Sequence, residues 1–133
     1  MDNKLVSFII ISYNHEKFID DCMQAVLNQT YNSMEILYMD DASEDHSYII
    51  AEQYKKELQN KFERVEFYQN KDNQGVVKNL NTLIPKCKGD YIKFLAADDF
   101  MLPAGIENMV ECLEQHPEAV MVYTNGVCGD ENT

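Results

Sequence analysis

Basic side chains are scarce in this chain of 133 residues. There are 11 lysines and arginines against 23 aspartates and glutamates, which gives a formal net charge of −12. A protein that binds duplex nucleic acid needs a basic face to displace phosphate counterions, so the composition argues against a nucleic-acid partner. The same balance disfavours docking by charge on an anionic membrane.

Paired cysteines and long apolar runs are also missing. The four cysteines, at positions 22, 87, 112 and 128, form no CxxC pair, so zinc-ribbon and redox-motif functions have no support. Buried free thiols in a reducing cytosol are the expectation. Apolar runs such as Phe8–Ile11 are far shorter than the ~20 residues of a membrane span, and the N-terminus lacks the features of a signal peptide. We therefore expect a cytoplasmic protein with no transmembrane segment.

Two phosphate-binding motifs are absent as well. No GxGxxG follows the first apolar run, and no GxxxxGK[ST] occurs anywhere, so a dinucleotide fingerprint and a P-loop are excluded. Without those backbone cradles, binding of a diphosphate would need a hard cation held by carboxylate oxygens.

Strand and helix patterns alternate along the whole chain, with no repeat, low-complexity stretch or linker. This order predicts one α/β domain over residues 1–133, a three-layer α/β/α fold around a mostly parallel sheet of about five strands. A frayed tail is expected over 125–133. The predicted strands are Leu5–Ser12, Met34–Met39, Val65–Tyr68, Tyr91–Leu95 and Ala119–Thr124. The helical faces between them contain Cys22 and Val26, then Ile50, Tyr54 and Leu58, then Leu80 and Leu83, and lastly Ile106 and Val110.

Polar clusters follow four of the predicted strands. They are Ser12-Tyr13-Asn14, Asp40-Asp41, Lys71–Gly75 and Asp98-Asp99. Ligands bind beyond the carboxyl ends of the strands in open parallel sheets, so these clusters mark a candidate site. A carboxylate after a strand is also a common helix N-cap, and either acidic pair alone has that alternative explanation.

Five blocks of the sequence, in this order, resemble family 2 glycosyltransferases. They are VSFIIISYNHEKFIDDCMQAVLNQTY, EILYMDDASED, NQG, KGDYIKFLAADD and the LP that follows it. The resemblance implies the GT-A fold and the inverting transfer of a sugar from a nucleoside diphosphate to an acceptor hydroxyl. It covers about Leu5 to Tyr123.

The resemblance also implies site residues. Asp98 matches the last aspartate of the DxD signature, and with Asp99 it is the expected ligand of Mn²⁺ or Mg²⁺. Two positions depart from the family pattern: Ala96 replaces the first aspartate of that signature, and Leu80 stands where many relatives carry arginine. The loss at Ala96 is expected to weaken or redirect donor binding. The expected nucleotide-sugar contacts are Ile11, Ser12, Tyr13, Asn14, Asp41, Gly75, Lys78 and Asp98.

Further expectations follow from the same resemblance. The donor is a UDP-, GDP- or dTDP-linked sugar, the acceptor is a carbohydrate or a lipid-linked molecule, and the pathway makes polysaccharide or glycoconjugate. The catalytic base is expected beyond Thr133, in an acceptor-binding half that the sequence lacks, with peripheral membrane association through that half. Asp130 and Glu131 are interpreted as solvated tail residues.

Two other functional classes remain open at this stage. One is a catalytically silent nucleotide-binding or scaffold domain, suggested by Ala96. The other is a receiver-type phosphoacceptor module, whose acidic pair after strand one this sequence lacks. His15, His46 and His116 show no metal-ligand spacing and are interpreted as surface or capping residues.

Overall fold

A four-stranded parallel sheet forms the centre of the fold in the computed structural model, which describes residues 3–129. The strand order is β3-β2-β1-β4, and every neighbouring pair is parallel. β1 is one of the two inner strands, a position that suits its continuous apolar run because both faces are covered there, and all seven of its residues are buried. The strands are β1 (Val6–Ser12), β2 (Met34–Asp40), β3 (Arg64–Gln69) and β4 (Tyr91–Ala96).

Helices cover both faces of this sheet. They are α1 (Ile19–Leu27), α2 (Ser47–Gln53), α3 (Lys55–Lys61), α4 (Val76–Leu83) and α5 (Gly105–Gln115), with a short 3₁₀ helix at Ile84–Lys86. The pattern at Ile50, Tyr54 and Leu58 predicted one helix, but the structure divides it at Tyr54. There the amide N–H bonds to the Ala51 carbonyl, three residues back, so the regular i−4 pattern is interrupted.

Alternate residues of the strands point to the two helical layers. Phe8 and Ile10 belong to the larger core, which includes side chains of α1, α2, α3 and α5. Ile9 and Ile11 belong to the smaller core beneath α4. The expected three-layer α/β/α fold is confirmed, with four strands in place of about five.

The predicted fifth strand at Ala119–Thr124 is wrong. Residues 119–124 have no strand structure, and the side chains of Val120 and Tyr123 are 99% and 85% exposed. A strand forms when its backbone pairs with a neighbouring edge and one face is buried, and this segment has joined no sheet. Residues 125–129 have no regular structure either, and Asp130 and Glu131 lie outside the described residues.

The strand order also determines where a ligand can enter. Successive strands move away from β1 through β2 to β3, and the chain then crosses to β4 on the other side of β1. Crevices open outside the carboxyl ends of the strands at such a switch point. The loops after β1 and β4 therefore flank the crevice.

Two sequence expectations concern features away from that edge. Cys22 is buried as expected, but Cys112 and Cys128 are exposed thiols, so burial was wrongly predicted for them. None of the helices within residues 3–129 has the length and hydropathy of a membrane span.

Candidate functional site

Two clefts open at the carboxyl edge of the sheet. One, of about 310 Å³, lies against the ends of β1 and β4. The other, of about 460 Å³, lies against the loops after β2 and β3. Tyr13 and Asn73 line both clefts, so the two are adjacent. The first is lined by Ile11, Tyr13, His15, Asp41, Asn73, Gly75, Val76, Phe94 and Ala96.

The loop after β1 is fastened to the loop after β2 by Asn14. Its backbone has a positive φ of 54°, which asparagine tolerates better than most residues. The Asn14 N–H donates to Ser43 Oγ at 3.0 Å, and its side-chain Oδ1 accepts from the Glu44 N–H at 2.8 Å. These bonds hold the preceding Tyr13 at the cleft, where the residue is 42% exposed.

Asp41 organises the loop that follows β3. Its Oδ1 accepts hydrogen bonds from Asn70 Nδ2 at 2.8 Å and from the Gln74 N–H at 2.7 Å, and its Oδ2 accepts from the Gly75 N–H at 2.8 Å. Burial alone would raise the pKa of this carboxyl, but these hydrogen bonds outweigh burial, so the pKa is lowered. Asp41 therefore carries a buried negative charge on the floor of the cleft.

Ser12 and Asp40 are fully buried beneath the same loops. Asp40 Oδ2 accepts from the Ser43 N–H at 3.0 Å, whereas Asp40 Oδ1 and Ser12 Oγ have no hydrogen-bond partner among residues 3–129. The Ser12 side chain does not line either cleft. Only its neighbours Ile11 and Tyr13 do so.

Gly75 and Lys78 lie at the start of α4. Gly75 has φ 82° and ψ 158°, a conformation almost restricted to glycine. A Cβ placed there would meet no atom within 4 Å, so the backbone conformation rather than crowding requires glycine in this structure. Lys78 is exposed, and its ammonium donates to the Gln74 side-chain oxygen.

Asp98 and Asp99 are exposed in the turn that follows β4. Asp98 Oδ2 lies 3.9 Å from His15 Nε2, across the crevice between the ends of β4 and β1. The Cys22 thiol lies near enough to Asp98 and Asp99 to be affected by their charges. Burial, together with the negative charges of Asp99 and Asp98, raises the pKa of Cys22 to about 12, so this thiol is protonated at neutral pH.

The carboxylates of Asp98 and Asp99 have the donor chemistry for a Mn²⁺ or Mg²⁺ ion whose other coordination positions are filled by a phosphate-bearing ligand and water. Magnesium is usually held by one or two carboxylates, with phosphate oxygens and water completing the shell. Within residues 3–129, no three histidine, cysteine or carboxylate side chains are grouped as a protein-only metal site. Asp98 and Asp99 provide two hard oxygen donors, and the remaining positions would have to come from a phosphate ligand and water.

Most of the predicted residues meet at this edge of the sheet. Ile11, Tyr13, Asp41 and Gly75 line one cleft. Asp98 does not line it, but its carboxylate lies 3.9 Å from His15, which does. The Asn14 side chain is used in joining the two loops, and Lys78 lines neither cleft.

Sequence reasoning missed the position of His15. The side chain is one quarter exposed and lines the cleft beside Asp98, whereas a surface or capping role was expected. Its place directly after the Ser12-Tyr13-Asn14 cluster was the available signal. Asn70 was missed as well, although it follows β3 as Asp41 follows β2.

Comparison with protein families assigns the chain. The family model described as Glycosyl transferase family 2 matches residues 7–133. The chain belongs to glycosyltransferase family 2. EpsE of Bacillus subtilis is 33% identical over 126 residues, which are 95% of this chain and 44% of EpsE.

Solved structures agree with this family 2 assignment at the level of fold. S. aureus TarS 1-349, solved in complex with UDP-GlcNAc, has a TM-score of 0.75 at 24% identity, covering 85% of this chain and 32% of TarS 1-349. The mannosyltransferase PcManGT of Pyrobaculum calidifontis, solved with GDP-Man and Mn²⁺, has a TM-score of 0.74 at 21% identity, covering 84% of this chain and 33% of PcManGT. The family 2 chain thus spans less than half the length of each of these three relatives.

The GT-A fold and the family 2 assignment remove the receiver-type module as an alternative. The sheet order β3-β2-β1-β4 also differs from the 2-1-3-4-5 order of receiver-like frames.

Proposed function

We propose that this chain binds a nucleoside-diphosphate sugar at the carboxyl edge of its sheet, together with Mn²⁺ or Mg²⁺. It would serve as the donor-binding part of an enzyme that transfers the sugar, with inversion, to an acceptor hydroxyl. The observation that carries the proposal is that the cleft lined by Tyr13 and Asp41 is also lined by His15, whose Nε2 lies 3.9 Å from the Asp98 carboxylate.

The shape and chemistry of the cleft support binding of the nucleoside. Its volume of about 310 Å³ is at the lower end of the range for small-molecule sites, and it continues into the neighbouring cleft. Tyr13 offers an aromatic surface for a base, and Asp41 offers a fixed negative charge to the N–H edge of that base. The three internal hydrogen bonds of Asp41 leave acceptor capacity on Oδ2, which has one donor in this structure.

The charge of the site supports a requirement for a divalent cation. Asp41, Asp98 and Asp99 would repel a diphosphate, and a net charge of −12 adds to that repulsion. When bound, the cation would offset the negative charge that develops on the leaving diphosphate. Asp98 and Asp99 would hold it, and His15 Nε2, 3.9 Å from Asp98, is placed to orient that carboxylate. TarS was solved with UDP-GlcNAc and PcManGT with GDP-Man and Mn²⁺, which supports this ligand class.

The wider setting is part of the same proposal. We propose a carbohydrate or lipid-linked acceptor, a place in polysaccharide or glycoconjugate synthesis, and a cytoplasmic location. Ile11 and Ser12 at the end of β1, Asn14 in the loop that follows, and Gly75 and Lys78 at the start of α4 would shape the nucleotide site. The catalytic base is not assigned to any residue of this chain.

Calorimetry with UDP, GDP and dTDP, each with Mn²⁺ and with chelator, tests the proposal. We expect at least one nucleotide to bind with Mn²⁺ and to lose at least about tenfold in affinity without it, equivalent to ~1.4 kcal/mol. Asp98→Ala and Asp99→Ala are expected to remove this metal dependence while the circular dichroism spectrum is unchanged.

Glu63→Ala is the matched control. It removes one exposed carboxylate from the residue before β3, at the opposite edge of the sheet, and should leave nucleotide affinity unchanged. Equal affinity with chelator and with Mn²⁺ would refute the metal-bridged site. Absence of binding to every nucleotide under every metal condition would favour a silent scaffold domain.

A further inference from the structure

Gln29 is a fully buried polar side chain outside the cleft. It follows α1 in the turn Asn28-Gln29-Thr30, and its exposed fraction is 0%. Burial of an amide is unfavourable unless its donors and acceptor are all hydrogen bonded. The partners of Gln29 are therefore informative.

The Gln29 amide joins α1 to the segment that follows Asp98 and Asp99. Its Nε2 donates to the Ala25 carbonyl at 3.1 Å and to the Leu102 carbonyl at 2.9 Å, and its Oε1 accepts from the Ile106 N–H at 3.1 Å. Both amide hydrogens and one oxygen lone pair are thus used on backbone groups. Two of these three groups belong to residues 102–106.

The bond to Ile106 supplies a cap that α5 lacks locally. Ala104 stands at the N-cap of α5 and has no side-chain acceptor. The first N–H groups of a helix need acceptors from elsewhere, and Gln29 Oε1 takes the one from Ile106. The start of α5 is therefore positioned by a residue of α1's C-terminal turn.

The turn that carries Gln29 is itself held in place. The Lys61 ammonium, at the end of α3, donates to the Leu27 and Gln29 carbonyls, each at 2.6 Å. A cation at the C-terminal end of a helix satisfies carbonyls that have no helical partner and complements the helix dipole. The Thr30 N–H donates to the Pro103 carbonyl at 2.8 Å, which adds a second bond to the same segment.

The loop with Asp98 and Asp99 is consequently fixed at both ends. At its start the Ala97 N–H donates to the Ile11 carbonyl at 3.1 Å, which continues the pairing of β4 with β1. At its end, residues 102–106 are held by Gln29 and Thr30. Only a short span that contains the two carboxylates lies between these anchors.

We propose that Gln29 is a positioning residue that fixes the metal-binding turn at Asp98 and Asp99 by anchoring residues 102–106 to α1. The inference rests on the proposed function for the identity of the ligand. A carboxylate pair that is held in place before the cation arrives loses less conformational entropy on binding, so affinity depends on this anchor.

Gln29→Met tests the anchor, because methionine has a similar length but neither donates nor accepts the three hydrogen bonds. Gln24→Met is the matched control: Gln24 is an exposed glutamine of α1 whose bonds go to Asp20 and Tyr54. Two readouts are measured in both variants. They are amide hydrogen exchange of residues 97–106 without ligand, and Mn²⁺-dependent affinity for UDP and GDP by calorimetry.

In Gln29→Met we expect exchange at 97–106 to be at least about tenfold faster, while β1 and β2 keep their protection. We also expect Mn²⁺-dependent nucleotide affinity to fall about fivefold or more, with affinity in chelator changed much less. Unchanged exchange at 97–106, or acceleration spread evenly over the whole sheet, would overturn the proposal. Unchanged metal-dependent affinity despite a loosened loop would also overturn it.

A milder variant covers the case in which Gln29→Met does not fold. Thr30→Val keeps the size of the side chain but removes the hydroxyl, whose single hydrogen is shared between two acceptors, the Pro103 carbonyl oxygen at 3.2 Å and Glu107 Oε2 at 2.8 Å. Thr30→Val should also speed amide exchange at 97–106 and lower the Mn²⁺-dependent nucleotide affinity, each by a smaller factor than Gln29→Met. Failure of the parent protein to bind any nucleotide would count against the proposed function, and the exchange measurement would still decide whether Gln29 fixes the loop.

Discussion

At the scale of single residues, Asp41 has two roles that use the same carboxylate oxygens. Its carboxylate holds the loop after β3 through Asn70, Gln74 and Gly75, and the proposed function also assigns it a contact with the nucleotide base. These roles are compatible because a carboxylate has about four acceptor positions and three are occupied here. The internal bonds fix the orientation of the group before a ligand arrives.

Asp41→Asn is expected to destabilise the fold and weaken nucleotide binding together. One carboxylate oxygen becomes an NH₂ group, which then faces an N–H donor of the loop and leaves that donor unpaired. Hydrogen bonds to charged groups contribute more than neutral ones, so we expect a loss of about 2 kcal/mol in the free energy of unfolding, measured with urea at neutral pH. Asp72→Asn, in an exposed position of the same loop, should change it by less than about 0.5 kcal/mol. Equal stabilities of the two variants would show that the loop does not depend on Asp41.

At the scale of elements, local sequence patterns predicted the strands that the centre of the fold requires. The run LVSFIIIS gives a buried strand because its β-branched residues can pack on both faces, and the structure buries all of β1. Ala119–Thr124 carries a similar apolar pattern but forms no strand, because pairing with a sheet edge is a non-local event that the pattern does not encode. The residues at strand ends were predictable for the opposite reason: parallel strands bring their carboxyl ends to one edge.

Contacts across the site were less predictable at this scale. His15 and Asp98 meet because β1 and β4 are neighbours, and that order follows from the crossover rather than from either segment. Gln29 lies in a turn of ordinary polar residues after α1, and that local pattern does not indicate a buried amide. Its burial depends on where α5 begins, which the local sequence does not indicate.

The backbone at Gly89, just before β4, passes very close to the backbone at the start of β1, and this close approach gives a prediction for Gly89. A Cβ there would lie 2.6 Å from the Ser7 backbone nitrogen and 2.8 Å from the Leu5 carbonyl oxygen, which is closer than real contacts allow. Gly89→Ala must therefore displace backbone, and we expect a loss of about 1–3 kcal/mol in the free energy of unfolding. Gly126→Ala is the control, because a Cβ there meets nothing within 4 Å. Equal urea midpoints for the two variants would contradict the close approach.

At the scale of the whole molecule, one buried carboxylate ties three strands together at the edge opposite the site. Glu35 in β2 accepts from Ser7 Oγ at 2.5 Å, from Arg64 Nη1 at 2.8 Å and from the Lys88 N–H at 2.6 Å. Ser7 belongs to β1, Arg64 to β3, and Lys88 to the segment that leads into β4. The network therefore links every strand of the sheet or its approach, while the loops at the other edge remain available for a ligand.

This network predicts a specific loss of stability in acid. Burial alone would raise the pKa of Glu35, but the hydrogen bonds from Lys88, Ser7 and Arg64 outweigh it, so the pKa lies below the ordinary glutamate value of 4.5. A lowered folded-state pKa means that the ionised group stabilises the fold above pH 4.5, and that this contribution is lost as the pH falls through the folded-state value.

Glu35→Gln should reduce the free energy of unfolding by about 3 kcal/mol near neutral pH, because it leaves Arg64 without its buried partner. The difference between parent and variant, measured by urea unfolding across the acid range, should shrink below pH 4.5. The control Glu63→Gln, at an exposed position, should change the free energy of unfolding little near neutral pH. A difference that stays constant from neutral pH into strong acid would mean that ionised Glu35 does not hold the strands together.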